Sequence, residues 1–146
     1  RSGRHARWTV MRVALYLPSR LYGFCEPVEP GGGQVFFHAS VFHRLHDDEP
    51  PPVLGELVEV TVGASPSDGA PRATSVRRLH APVRAEGKVV SFDATQGWGF
   101  VRDAQGKDFF LHRSDIEGGR LPVRGQWVRF IIGLKNDRPR ACYVEV

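Results

Sequence analysis

The sequence repeats itself, and no other feature restricts the possible folds as tightly. Arg12-Val13-Ala14 through Tyr22-Gly23-Phe24 returns as Lys88-Val89-Val90 through Trp98-Gly99-Phe100. Val35-Phe36-Phe37-His38-Ala39-Ser40 returns as Phe109-Phe110-Leu111-His112-Arg113-Ser114. Gly55-Glu56-Leu57-Val58-Glu59-Val60 is answered by Gly125-Gln126-Trp127-Val128-Arg129-Phe130, and Pro71-Arg72-Ala73 by Pro139-Arg140-Ala141. The order is kept, while the separation shrinks from 76 residues at Tyr22 and Trp98 to 68 at Pro71 and Pro139. The extra residues of the first copy fall in turn-like stretches: Glu29-Pro30-Gly31-Gly32-Gly33, residues 47–52 and residues 65–69. Ordered internal similarity marks one structural unit built twice. The expected domains are residues 11–80 and 84–146, preceded by a basic arm, residues 1–10. The join at residues 80–85, marked by Pro82, is too short to act as a flexible linker.

Each copy reads as five short strands. In the second they are expected near residues 87–93, 97–102, 108–112, 127–134 and 141–146. Ala104-Gln105-Gly106-Lys107, Glu117-Gly118-Gly119 and Lys135-Asn136-Asp137 supply the breaks. No segment carries a convincing helical period. Strands this short are best protected by closing the sheet on itself, which removes raw edges. The expected fold is therefore all-β, with two tandem five-stranded antiparallel barrels.

Charge is unevenly placed. The chain has 146 residues and a net charge of +4. Residues 1–10 carry three Arg and no acid; residues 11–80 carry six basic and eight acidic groups; residues 81–146 carry eleven basic and eight acidic groups. Attraction for an anionic partner thus belongs to the arm and the second copy. No stretch reaches the roughly 18 apolar residues of a membrane span, and no apolar block follows the basic start as in a secretory leader. Met11 is a candidate initiator, with residues 1–10 as an upstream extension. Cys25 and Cys142 read as buried thiols, and the expected setting is cytoplasmic. His38, His43 and His46 lack the further ligands of a zinc pattern, and the Asp47-Asp48-Glu49-Pro50-Pro51-Pro52 run reads as a solvated loop. No nucleophile–base constellation or phosphate loop is present. Neither metal, cofactor nor enzymatic activity is expected.

The chemistry lies in the aromatic residues. Side chains two apart on a strand share a face. Trp98 and Phe100 therefore point together, as do Phe110 and His112, with Phe109 and Leu111 on the opposite, core side. If these strands pair, the outward set is one aromatic patch. Such rings can be cross-strand packing pairs, or a platform on which unpaired bases stack at roughly 1–3 kcal/mol each.

The motifs resemble the cold-shock domain family. Gly87-Lys88-Val89-Val90-Ser91-Phe92-Asp93 with Gln96-Gly97-Trp98-Gly99-Phe100-Val101 is similar to its first strand and first ribonucleoprotein motif, and Asp108-Phe109-Phe110-Leu111-His112-Arg113-Ser114 to its second. The similarity continues through residues 125–130 to 139–141, covering essentially 84–146. It implies an OB-type barrel that stacks single-stranded RNA or DNA, as a nucleic-acid chaperone or a regulator of transcription or translation. It implies stacking by Phe92, Trp98, Phe100, Phe110 and His112, and a backbone contact by Lys88. Ser91 stands where the family has an exposed Trp, Gln96 replaces a Lys and Arg113 a Phe. The Ser91 change removes about one stacking unit from the platform, while the Arg113 plane can itself stack or hold a phosphate. The first copy is degenerate, with Leu15, Leu21 and Ala39 at motif positions. Its candidate secondary nucleic-acid-binding residues are Tyr16, Arg20, Tyr22, Phe24, Phe36 and His38. A repurposed barrel serving as a protein–protein interaction module is the alternative reading.

Overall fold

The computed structural model describes residues 7–29, 31–65 and 67–146. The chain divides into two compact units, Arg1–Ala81 and Pro82–Val146. The first contains β1 (Thr9–Leu17), β2 (Tyr22–Pro27), β3 (Val35–His38), β4 (Phe42–His43), β5 (Leu57–Ala64) and β6 (Pro71–Arg78). The second contains β7 (Arg84–Asp93), β8 (Trp98–Arg102), β9 (Asp108–His112), β10 (Trp127–Lys135) and β11 (Arg138–Glu145). Of the basic arm, residues 1–6 lie outside the described residues, and Thr9 and Val10 already belong to β1.

Each unit closes into a five-stranded barrel. The first runs β3-β2-β1-β5-β6 and closes through β3–β6; the second runs β10-β11-β9-β8-β7. The pairings around each ring are antiparallel except the closing one, which is parallel: Phe36 opposite Arg72, and Phe110 opposite Arg140. The all-antiparallel expectation needed this refinement. A ring of five strands cannot alternate direction all the way round, so one neighbouring pair must run the same way. The two-residue β4 lies parallel to β6 with Phe42 opposite Val76. An isolated parallel bridge, Ile116 to Val144, takes the same place in the second unit.

The cores repeat column by column. Val13, Cys25, Val35, Phe37, Val58, Val60, Ala73 and Val76 fill the first barrel. Val89, Val101, Phe109, Leu111, Val128, Phe130, Ala141 and Val144 fill the second. Each buried large apolar side chain contributes about 1.5–3 kcal/mol. Both cysteines are buried thiols, and burial, followed by the charge of Glu56, pushes the Cys25 thiol up to about 12.

Two stretches differ from their sequence reading. The 47–52 run is anchored. Arg78, only 2% exposed, bonds Glu56 through Nε (2.8 Å) and Nη2 (2.7 Å), reaches Glu49 at 3.3 Å, and donates to the carbonyls of Pro50 and Pro51, both at 2.9 Å. A buried guanidinium needs such partners to offset its lost hydration, and the proline carbonyls supply them. Strand β11 starts at Arg138 rather than 141. Asn136 (φ 52°) and Asp137 (φ 62°) make a two-residue turn with both φ positive, the hairpin geometry that keeps adjoining strands paired. Pro139 fits because its neighbour β9 meets β11 only at Phe110 and Arg140.

The β1–β2 and β7–β8 turns also repeat, with one strained substitution. Gly97 (φ 83°) donates to the Asp93 carbonyl at 2.6 Å and accepts from the Arg113 amide at 2.8 Å. Leu21 makes the equivalent bonds, to the Leu17 carbonyl and from the Ala39 amide, each 2.8 Å, yet carries φ 62°. A leucine in this left-handed region is strained by about 1–2 kcal/mol, and Leu21 is half exposed, with little burial to offset it. Leu21→Gly is expected to stabilise the first unit by about 1 kcal/mol after the glycine's larger unfolded-state entropy is subtracted. Denaturant unfolding of the two proteins checks this.

Candidate nucleic-acid interface

A bulge decides which aromatic residues reach the surface. The β7–β8 register shifts between Val89 and Ser91. Beyond the shift, Ser91 pairs with Phe100, Phe92 with Gly99 and Asp93 with Trp98. Directly opposed residues share a face. Three outward rows follow across the second barrel: Asp93–Trp98–His112, Ser91–Phe100–Phe110–Arg140, and Trp127–Lys88–Arg102–Asp108. Gly99 permits this arrangement, since a Cβ there would overlap the Ser91 carbonyl oxygen.

The rings in the first two rows form one cluster. Trp98 stacks on Phe110 at 6.1 Å and 25°, and Phe100 meets both edge-on at 6.1 and 5.8 Å. His112 lies stacked beside Phe110 at 6.3 Å. Its Nδ1 accepts from the Ser114 amide at 3.1 Å, so the neutral ring carries its proton on Nε2 and presents a donor there. Trp98 is 40% exposed and its indole N–H donates to Gln96 at 2.9 Å.

This cluster floors an open groove of about 840 Å³. Trp98, Phe100, Asp108 and Phe110 line one side, and the β10–β11 hairpin, with Lys135, Asn136, Arg138 and Arg140, lines the other. The Arg140 guanidinium lies 5.3 Å above Phe110 and bonds Asp115 at 2.8 Å. Burial pushes the Asp115 carboxyl up, against the pull of Arg140. Of the acids near the groove, Asp108 is paired, since Arg102 bonds it at 2.7 Å and holds its carboxyl below the ordinary value, while Asp137 is exposed in the hairpin turn. Lys135 and Arg138 are exposed.

The first unit builds the same cluster. Tyr22, Phe24 and Phe36 lie 5.6–6.3 Å from one another, Arg72 sits 5.4 Å over Phe36, and His38 accepts from the Ser40 amide at 3.0 Å. Its surroundings differ. Leu15 and Leu17 replace Ser91 and Asp93 in the rows. A longer stretch between Ala64 and Pro71, with the sequence Ser-Pro-Ser-Asp-Gly-Ala and no cation, stands where the second unit has Lys135 and Arg138.

Residues 85–146 match the family described as "'Cold-shock' DNA-binding domain". A mouse protein, calcium-regulated heat stable protein 1, is 32% identical over 130 residues, covering 82% of this chain and 82% of its own length. The chain belongs to the cold-shock domain family. Members of this family are generally nucleic-acid binders, and typically not enzymes. Drosophila melanogaster cold shock domain-containing protein CG9705 is 40% identical over 78 residues, 51% of this chain and 54% of the relative, so the chain spans about half of that protein. A cold shock-like protein of Thermotoga maritima is 39% identical over 62 residues, 41% of this chain and 94% of the relative.

Set on this cold-shock frame, the expected site residues separate. Trp98, Phe100, Phe110 and His112 come together, as do Tyr22, Phe24, Phe36 and His38. Phe92 does not join them. It packs against the core of the second unit, because the bulge turns it inward opposite Gly99. Tyr16 departs in the same way. It packs against the first core and stacks on Phe37 at 6.0 Å, and burial raises its phenol pKa against the field of Arg44. Arg113 lies across Gly97 and donates to the Thr95 carbonyl at 3.2 Å, outside the ring cluster. Arg20 is exposed in the β1–β2 turn, and Lys88 is exposed two strands from β9. The reading of the sequence missed Arg140, Lys135, Arg138 and Trp127. Strand alternation signals Trp127, since Val128 and Phe130 are core residues; the hairpin cations become visible only when β11 closes against β9.

Gly99→Ala is expected to destabilise the second unit by about 3 kcal/mol or more, because rigid backbone stands where the methyl would go. A matched Gly106→Ala variant meets no atom within 4 Å and carries only its positive φ of 84°, so it should lose less. Thermal unfolding of both variants measures the difference.

Proposed function

We propose that the second unit binds single-stranded RNA or DNA, with bases on Trp98, Phe100 and Phe110 and the sugar-phosphate strand along Lys135 and Arg138. The supporting observation is the groove itself: aromatic rings on one side, cations on the other, and the nearby acid Asp108 tied to Arg102. Exposed rings gain by stacking on bases, while cations exchange counterions for phosphates. His112 Nε2 and the backbone-contacting Lys88 add polar contacts. A strand held this way has its bases unstacked from one another, which opposes folding of the nucleic acid and suits a chaperone or a regulator of transcription or translation. The first unit's ring cluster is a weaker platform of the same kind, lacking the cationic hairpin. Its Leu15, 41% exposed, and Leu17 favour a second reading for that face alone, contact with a protein partner.

The test is titration of pyrimidine-rich RNA and DNA oligonucleotides. Trp98→Ala combined with Phe110→Ala is expected to weaken binding more than about tenfold, and an unchanged affinity rejects the site. Lys135→Gln with Arg138→Gln is expected to flatten the plot of log affinity against log salt by about 1.4, two phosphate contacts at about 0.7 each. Tyr22→Ala with Phe36→Ala should cost less than the Trp98 and Phe110 pair if the first face is secondary.

A further inference from the structure

The outward row Ser91–Phe100–Phe110–Arg140 ends in a small side chain at Ser91, so the aromatic floor stops at β8. The neighbouring row does not end that way. Trp127, the first residue of β10, sits opposite Lys88 on β7 and is 58% exposed, more than Trp98 at 40%. Lys88 Nζ lies 5.5 Å over its ring. An indole this open has little packing role, and the ammonium over it sets a positive charge beside exposed aromatic surface. Strand β10 is two strand spacings from β8, roughly 10 Å, beyond the footprint of a base resting on Phe100. The intervening outward positions, Ser91 and Lys88, place no large apolar side chain in the way. The preceding turn, closed by the Gln126 amide on the Val123 carbonyl at 3.1 Å, adds exposed Arg124.

We infer that Trp127 is a separate base-stacking subsite, with Lys88 beside it for the adjoining phosphate, and that it takes a nucleotide further along the strand than those on Trp98 and Phe110. It moves to β10 the ring that position 91 lacks. This subsite rests on the reading of the second unit as a single-strand binder, and the experiment separates the two.

Oligonucleotides of four and of eight deoxythymidines are titrated against the full chain, Trp127→Ala, Trp127→Phe and Trp98→Ala. The subsite predicts that Trp127→Ala weakens the eight-mer at least fivefold more than the four-mer, that Trp127→Phe restores most of that loss, and that Trp98→Ala weakens both. In a Trp8→Phe, Trp98→Phe background, the fluorescence of Trp127 should be quenched by the eight-mer. If Trp98→Ala weakens binding while Trp127→Ala changes neither length and its fluorescence stays constant, the subsite is overturned and the main site stands. If neither variant weakens binding, the single-strand reading fails with it.

Discussion

The close passage of a glycine beneath a bulged carbonyl sets the outer surface of both barrels. Gly99 lies under Ser91 and Gly23 under Leu15, and in each case a Cβ would collide with that carbonyl oxygen. The bulge they accommodate changes which face each later residue of β1 and β7 takes. Without it, Phe92 would share the surface with Phe100; with it, Phe92 and Tyr16 are drawn into their cores. The ring cluster on β8 and β9 depends on which rings remain outside after that one-residue slip.

The architecture was largely legible because the repeat and the two-residue alternation are both local in sequence. Strands β7 to β10 lie within a few residues of where turn chemistry puts them, and the core columns Val89, Val101, Phe109, Leu111 and Val128 follow alternation directly. The errors are non-local. A bulge leaves no compositional mark, so the resemblance sets Phe92 among the stacking rings although the slip in β7 packs it against the core. The 47–52 run looks like a charged, proline-stiffened loop until Arg78, far along the chain, is seen bonding Glu49 and two proline carbonyls. The last strand, expected from 141, starts at Arg138, because nothing local shows that Pro139's side of β11 needs few hydrogen bonds. The rings named through the motif resemblance, Trp98, Phe100, Phe110 and His112, lie together in one cluster, but the resemblance could not supply Trp127 or the hairpin cations, which lie outside the two motifs.

The two units show how a duplicated barrel can diverge while its frame stays fixed. Each pairs a residue in a turn with one that follows the strand-three histidine: Gly97 with Arg113, Leu21 with Ala39. Arg113 occupies the space above Gly97 that a side chain there would need, and Ala39 leaves that space to Leu21. The electrostatic divergence is larger. The second unit carries a tight hairpin whose Asn136-Asp137 turn is flanked by Lys135 and Arg138; the first has a longer loop whose charged residue is the acid Asp68. Ring geometry is shared, and charge is what separates the two faces.

Each barrel is sewn shut at a narrow place. The seam between the third and last strands holds one pair of opposed residues, Phe36 with Arg72 and Phe110 with Arg140, where the other joints run along four or more. The arginine resting over the phenylalanine spans that seam from outside. A guest lying on Phe110 and against Arg140 would touch both lips at once, so occupancy of the groove and resistance of the barrel to opening would rise together.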